Sequence, residues 1–226
     1  MKVLLFDIDG TLIRSGGAGK VALHAALTSH FSVKEIRDRV LFSGRTDPGI
    51  GVDLLRIHDL EVSPENLLHL ELAYLQHLPD ALEQNPGSIM PGVLDWLDSL
   101  NQASHVKLGL LTGNVRRGAE LKLRHYRLWD YFSFGGFADG LHDRDEVARH
   151  ALKESETHLK AKLDPRQIWV IGDTPLDVKC ARAIGANVIA VTTGWHTREE
   201  LVAAQADYVF DTLEDGKELL AELLQN

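Results

Sequence analysis

Val3-Leu4-Leu5-Phe6-Asp7-Ile8-Asp9-Gly10-Thr11 is the stretch from which the rest of the chain is read. Four apolar residues in an unbroken run mark a strand buried on both faces, as in a parallel sheet. The run ends in two carboxylates flanking Ile8, followed by a glycine that lets the backbone turn sharply. Alternation along the chain sends Asp7 and Asp9 roughly the same way. Two carboxylates about 4 Å apart repel by about 4 kcal/mol at an effective dielectric near 20. Either one holds a proton or a cation sits between them. A turn or helix cap built from Asp and Thr would explain the same residues without chemistry.

Working outward, further apolar runs predict strands at Val106–Leu111, Phe132–Phe134, Ile168–Ile171 and Val188–Val191, with a weaker one at Tyr208–Phe210. Helix-like segments alternate with them at Val93–Leu100, Val115–Tyr126, Glu146–Leu159, Pro175–Ile184 and Arg198–Ala204. Such alternation implies an α/β fold with a parallel sheet covered on both faces. Residues 16 to 85 break the pattern. They contain no convincing strand and read as helices at Lys20–Ser29, Ile50–His58 and Pro64 to about Leu82. Gly16-Gly17-Ala18-Gly19 suggests a flexible entry, and Asn85-Pro86-Gly87 a firm exit. The expectation is a helical insertion after the first strand.

Ligands of open α/β sheets bind at the carboxyl ends of the strands, so the residues there matter most. Ile171 is followed by Gly172-Asp173-Thr174-Pro175-Leu176-Asp177, a second acidic strand end. Asp173 as a helix cap and Asp177 as a first-turn carboxylate would account for it alone. Together with Asp7 and Asp9, however, four carboxylates would converge on one sheet edge. That convergence is costly without a metal, and an all-oxygen donor set suits Mg²⁺. Leu111 is followed by Thr112-Gly113-Asn114, where a hydroxyl and backbone N–H groups at a helix start form an anion cradle or an ordinary capped junction.

In this order the three pieces resemble the haloacid dehalogenase-like superfamily. The resemblance covers nearly the whole chain and rests on Asp7–Thr11, Thr112 and Gly172–Asp177. It implies a Rossmann-like, doubly wound parallel sheet as the catalytic core, residues 1–13 and 88–226. Residues 14–87 would be an inserted helical cap, as in phosphoglycolate-phosphatase-like members. Asp7 would be the nucleophile that forms an aspartyl phosphate, and Asp9 the general acid and base. Asp7, Asp173 and the backbone carbonyl of Asp9 would hold Mg²⁺. Thr112, Gly113 and a basic residue would hold the phosphoryl group, with Gly10, Thr11, Asn114 and Asp177 in support.

The family's usual lysine before the fourth strand is missing from its customary setting. Arg144, in Leu141-His142-Asp143-Arg144, resembles an arginine variant of that element, and Lys153 is the second candidate. In the insertion, Gly44-Arg45-Thr46-Asp47 offers Arg45 as a reader of a carboxylate or polar group on the substrate; the alternative is an Arg45–Asp47 loop contact. The reaction implied is phosphomonoester hydrolysis on a small phosphorylated metabolite. A phosphomutase on the same scaffold and a non-catalytic phospho-ligand-binding protein are the alternatives.

The bulk numbers set the remaining bounds. The chain has 226 residues, 44% apolar and 25% charged, and a net charge of −9, which argues against nucleic acid or an anionic membrane as the main partner. No stretch approaches the roughly 20 apolar residues of a membrane span. A single cysteine, Cys180, forbids an internal disulfide and reads as a buried structural thiol. These features suggest a cytoplasmic monomer or homodimer. Gly19-Lys20 lacks the flanking residues of a phosphate loop, none of the 11 histidines forms a zinc-binding His-Glu-x-x-His, and His69 and His77 read as surface residues.

Overall fold

The computed structural model describes residues 1–37 and 39–225. In chain order, β1 (Lys2–Phe6) leads to a short strand β2 (Ile13–Arg14), then to α1 (Ala18–Phe31), α2 (Asp47–Ile57) and α3 (Pro64–Gln84). The chain returns through β3 (Ser88–Ile89) to α4 (Val93–Gln102), β4 (Val106–Leu111), α5 (Arg116–His125), β5 (Phe134–Gly136) and α6 (Arg144–Leu159). It ends with β6 (Ile168–Gly172), α7 (Pro175–Arg182), β7 (Asn187–Val191), α8 (Arg198–Ala203), β8 (Tyr208–Phe210) and α9 (Lys217–Leu223).

Six strands form one parallel sheet in the order β5-β4-β1-β6-β7-β8. The chain winds outward from β1 in one direction, then returns to β1's other side. That reversal opens a crevice at the carboxyl ends of the central strands. Alternation along β1 feeds two separate cores. Leu4 and Phe6 pack with Trp96, Leu97, Leu123 and Leu219 on one face. Val3 and Leu5 pack with Ala148, Ala151, Val178 and Ala181 on the other.

The three insertion helices have a third core of their own, built on Leu23, Leu27, Leu54, Leu70, Tyr74 and Leu78, to which Val115 of the sheet domain also belongs. The ends of the insertion are tied by a two-stranded antiparallel ribbon, Ile13 opposite Ile89 and Arg14 opposite Ser88. The glycine entry is an ordered turn: Gly16 and Gly17 take φ values of 62° and 84°, and Gly17 caps α1. Among the described residues, no helix is long and apolar enough to cross a membrane.

Two expectations shift. The strand expected at Phe132–Phe134 lies at Phe134–Gly136 instead. Phe132 is drawn out of the ladder by its N–H bond to the Trp129 carbonyl and packs edge-on against Phe6 at 5.9 Å. The two glycines continue the strand because α6 crosses it closely; a Cβ on Gly136 would lie 2.5 Å from that of Ala151. Helix α9, which completes one face of the core through Leu219 and Leu223, lies in a segment that sequence reading left unassigned.

Candidate active site

Strand β1 ends one residue before Asp7, whose N–H still bonds the Ile171 carbonyl of β6 at 2.9 Å. That last rung holds the Asp7 side chain over the gap between β1 and β6. The chain then turns on Gly10, at φ +88°, where a Cβ would come 2.5 Å from a carboxylate oxygen of Asp173. Thr11 reaches back and donates its hydroxyl to Asp173 Oδ1 at 3.0 Å. From the next strand end, Asp177 closes a capping box at the start of α7: its Oδ2 accepts the Thr174 N–H at 3.0 Å and hydroxyl at 2.7 Å.

The result is three buried carboxylates, Asp7, Asp173 and Asp177, with one oxygen of each within 4.8 Å of the others. Among the described residues, one cation answers them. Arg144, the first residue of α6 and itself buried, lies 3.3 Å from Asp7 Oδ1 and is hydrogen-bonded to Asp177 Oδ1. Three carboxylates against one guanidinium leave the cluster two charges short of neutrality. Burial pushes Asp7 up to about 7, against the pull of Arg144 and with the help of Asp177 and Asp9. Burial, then the charges of Asp177 and Asp7, hold Asp173 well above the usual carboxylate range. An all-oxygen cluster short of two positive charges fits a hard divalent cation such as Mg²⁺, and Asp7 and Asp173 are the residues least satisfied without one.

Asp9 does not join this cluster, so three of the four carboxylates meet rather than all four. Its side chain is turned to the other end of the crevice, toward α5. Asp9 Oδ2 accepts from Lys122 Nζ at 2.6 Å and from Asn114 Nδ2 at 2.9 Å. Asn114 continues the chain: its Oδ1 accepts from Lys122 at 2.7 Å, and its N–H and Nδ2 both donate to the Thr112 hydroxyl. Thr112 is wholly buried, and its N–H bonds the Gly136 carbonyl.

The insertion meets this edge directly. Asp47 N–H donates to the Gly113 carbonyl at 2.7 Å, and Asp47 Oδ2 accepts the Val115 N–H at 2.9 Å. Burial pushes the Asp47 carboxyl up to about 6 despite Lys122 and that N–H. Arg45 pairs with Asp53, not with Asp47, and donates to the Gly49 carbonyl at 3.3 Å. The alternative Arg45–Asp47 contact does not form, because Asp47 is spent on the sheet domain. Arg45, His142, Arg144 and Lys179 line a cavity of about 150 Å³.

This ordered set of strand ends is matched by a family profile, that of the haloacid dehalogenase-like hydrolases, over residues 4–191. The chain belongs to that family. A phosphoglycolate phosphatase from Synechococcus elongatus is 28% identical to it over 225 residues, with both chains fully covered. A second phosphoglycolate phosphatase, from Vibrio vulnificus, is 27% identical over 221 residues, covering 94% of this chain and 93% of its own. Among solved structures, CbbY from Rhodobacter sphaeroides in complex with phosphate superimposes with a TM-score of 0.79 at 19% identity, with 96% of each chain covered.

Within this haloacid dehalogenase-like hydrolase, Arg144 is the basic side chain at the cluster. Lys153 lies exposed further along α6. Cys180 is buried beneath the cluster, donates to the Asp177 carbonyl at 3.3 Å, and burial pushes its thiol up to about 12. His69 is exposed; His77 is half-buried beside Ser29. Lys122 was missed by reading the sequence. The available signal was its place on α5: Gly118, Ala119, Lys122 and Leu123 form the buried stripe of that helix, and a lysine there is out of pattern.

Proposed function

We propose that this chain is a Mg²⁺-dependent phosphatase that hydrolyses phosphomonoesters of small metabolites through an aspartyl phosphate on Asp7. The carrying observation is the buried cluster in which three carboxylates face one guanidinium. The phosphoglycolate phosphatases among its relatives support the substrate class. Asp7 and Asp173 would hold the ion, with Asp177 behind them. When bound, it would neutralise the cluster and draw charge from the phosphoryl oxygens.

Asp7 attacks phosphorus in line and the bond to the alcohol oxygen breaks. Asp9 gives that oxygen its proton, then takes one from the water that releases inorganic phosphate and regenerates Asp7. Arg144, the Thr112 hydroxyl and the Gly113 N–H orient the phosphoryl oxygens; charge neutralisation and positioning supply most of the rate. Residues 14–87 act as a cap, and the lone thiol Cys180 suits a cytoplasmic setting.

Hydrolysis of p-nitrophenyl phosphate with and without Mg²⁺ tests the reading. Activity should require the metal, release inorganic phosphate rather than pass it to a sugar hydroxyl, and fall at least about 10⁴-fold in Asp7→Asn. A folded wild type that neither binds Mg²⁺ nor hydrolyses any of a panel of phosphomonoesters would sink it. Arg45 is assigned to a second polar group on the substrate. Arg45→Ala should raise KM for the preferred metabolite by about 10-fold or more and spare p-nitrophenyl phosphate; equal kinetics on the metabolite would remove Arg45 from the site.

A further inference from the structure

Lys122 sits where the sheet domain and all three insertion helices meet. Its side chain is 5% exposed, against 40% for Asp9, its partner. A Cβ added at Gly19 of α1 would lie 3.6 Å from its Nζ. Tyr74 of α3 and Asp47 of α2 complete the surroundings. Burial favours loss of the lysine's proton, yet the carboxylates of Asp9 and Asp47 hold it above its ordinary range. An ammonium buried at this depth is a poor stabiliser compared with a leucine of similar volume, so packing does not account for it. What the ammonium does specifically is fix one oxygen. Lys122 Nζ and Asn114 Nδ2 converge on Asp9 Oδ2, and Lys122 also grips Asn114 Oδ1, closing a triangle of three hydrogen bonds.

We propose that Lys122 is a positioning residue for proton transfer by Asp9: with Asn114 it pins Oδ2, so that Oδ1 carries the proton. In the first step the Oδ1–H proton moves to the leaving alcohol oxygen as the phosphorus–oxygen bond breaks. In the second, Oδ1 takes a proton from the attacking water. The carboxylate of a half-exposed aspartate has rotamer freedom to lose, and a buried, doubly bonded ammonium removes it at the one residue whose aim matters. The inference rests on the assignment of Asp9 as general acid.

A general acid matters in proportion to how poor the leaving group is, which separates positioning from mere structural support. The measurement is kcat/KM of the Mg²⁺-loaded enzyme on phenyl phosphate and p-nitrophenyl phosphate, two substrates of similar shape, for wild type, Lys122→Met, Lys122→Gln and Asp9→Asn. Asp9→Asn should lose on the order of 100-fold or more on phenyl phosphate and far less on the nitrophenyl ester. Lys122→Met should reproduce that selectivity, with a loss of about 30-fold against less than about 3-fold. It should add less than about 2-fold when combined with Asp9→Asn. Lys122→Gln, which keeps a donor, should recover part of the loss. If Asp9→Asn is selective but both lysine variants lose equally on the two esters, lose nothing, or fail to fold, the proposal falls and Lys122 is structural. If Asp9→Asn itself shows no selectivity, the assignment of Asp9 fails and takes the proposal with it.

Discussion

Asp7 and Asp9 stand two residues apart on one turn, yet their surroundings have opposite deficits. Around Asp7, three buried carboxylates share the single guanidinium of Arg144, and Asp7 and Asp173 are both displaced toward holding protons. Around Asp9, one partly exposed carboxylate meets a full ammonium and an amide, with Asp47 behind. The first pocket has less positive charge than its carboxylates call for. The second supplies its own. On the function proposed above, the pair divides the work: Asp7 would bond to phosphorus beside a cation, and Asp9 would handle protons beside a fixed lysine.

The largest effect that tests this contrast is Asp173→Asn. It removes one charge from the deficient pocket and leaves Thr11 a partner, since an amide oxygen can accept the same hydroxyl. Phosphatase activity should fall by about 10³-fold or more. Wild type should gain thermal stability with saturating Mg²⁺, about 2.7 kcal/mol at 100 times the dissociation constant. The variant should lose that gain while melting no lower than wild type in EDTA, because like-charge crowding has been relieved. A metal-free variant markedly less stable than metal-free wild type would mean the cluster is already balanced, and the contrast would fail.

Legibility followed the same division. The deficient pocket is written in short contiguous motifs at strand ends, so Asp7, Thr11, Asp173 and Asp177 could be singled out from their neighbours in the chain. The unbroken apolar run of β1 marked both of its faces as buried, as Leu4 and Leu5 show. Arg144 was within reach because, just before a predicted helix, it resembles an arginine variant of the family's third element. Lys122 was not singled out: its place on the buried stripe of α5 is out of pattern, but its partner Asp9 lies 113 positions away and no local motif joins the two. The β2–β3 ribbon escaped for a related reason: two residues on each side have no period to read, and only the return of the insertion brings them together. Gly135 and Gly136 hid a strand because their value lies in the space they leave for α6, not in β propensity.

The smallest effect probes how the two pockets respond to pH. Carboxyls raised above their unfolded range bind more protons folded than unfolded. Their contribution to stability is complete below about pH 4 and is lost as pH rises through the folded values. For Asp47 that window runs from the ordinary aspartate value of 3.8 to about 6, and for Asp7 to about 7. In EDTA the wild type should therefore lose stability between pH 5 and 8. Saturating Mg²⁺ should cancel the share due to Asp7 and Asp173, because a bound cation favours their ionised forms, and should leave the share due to Asp47 untouched. Asp47→Asn should remove that remaining share. Its amide oxygen can still accept the Val115 N–H, so its stability relative to wild type should improve by about 1.4 kcal/mol between pH 5 and 8. Chemical denaturation at the two pH values, with and without Mg²⁺, reads all four arms. A Mg²⁺ effect that also flattened the Asp47 share would show that the pockets are coupled through Asp9 rather than separate.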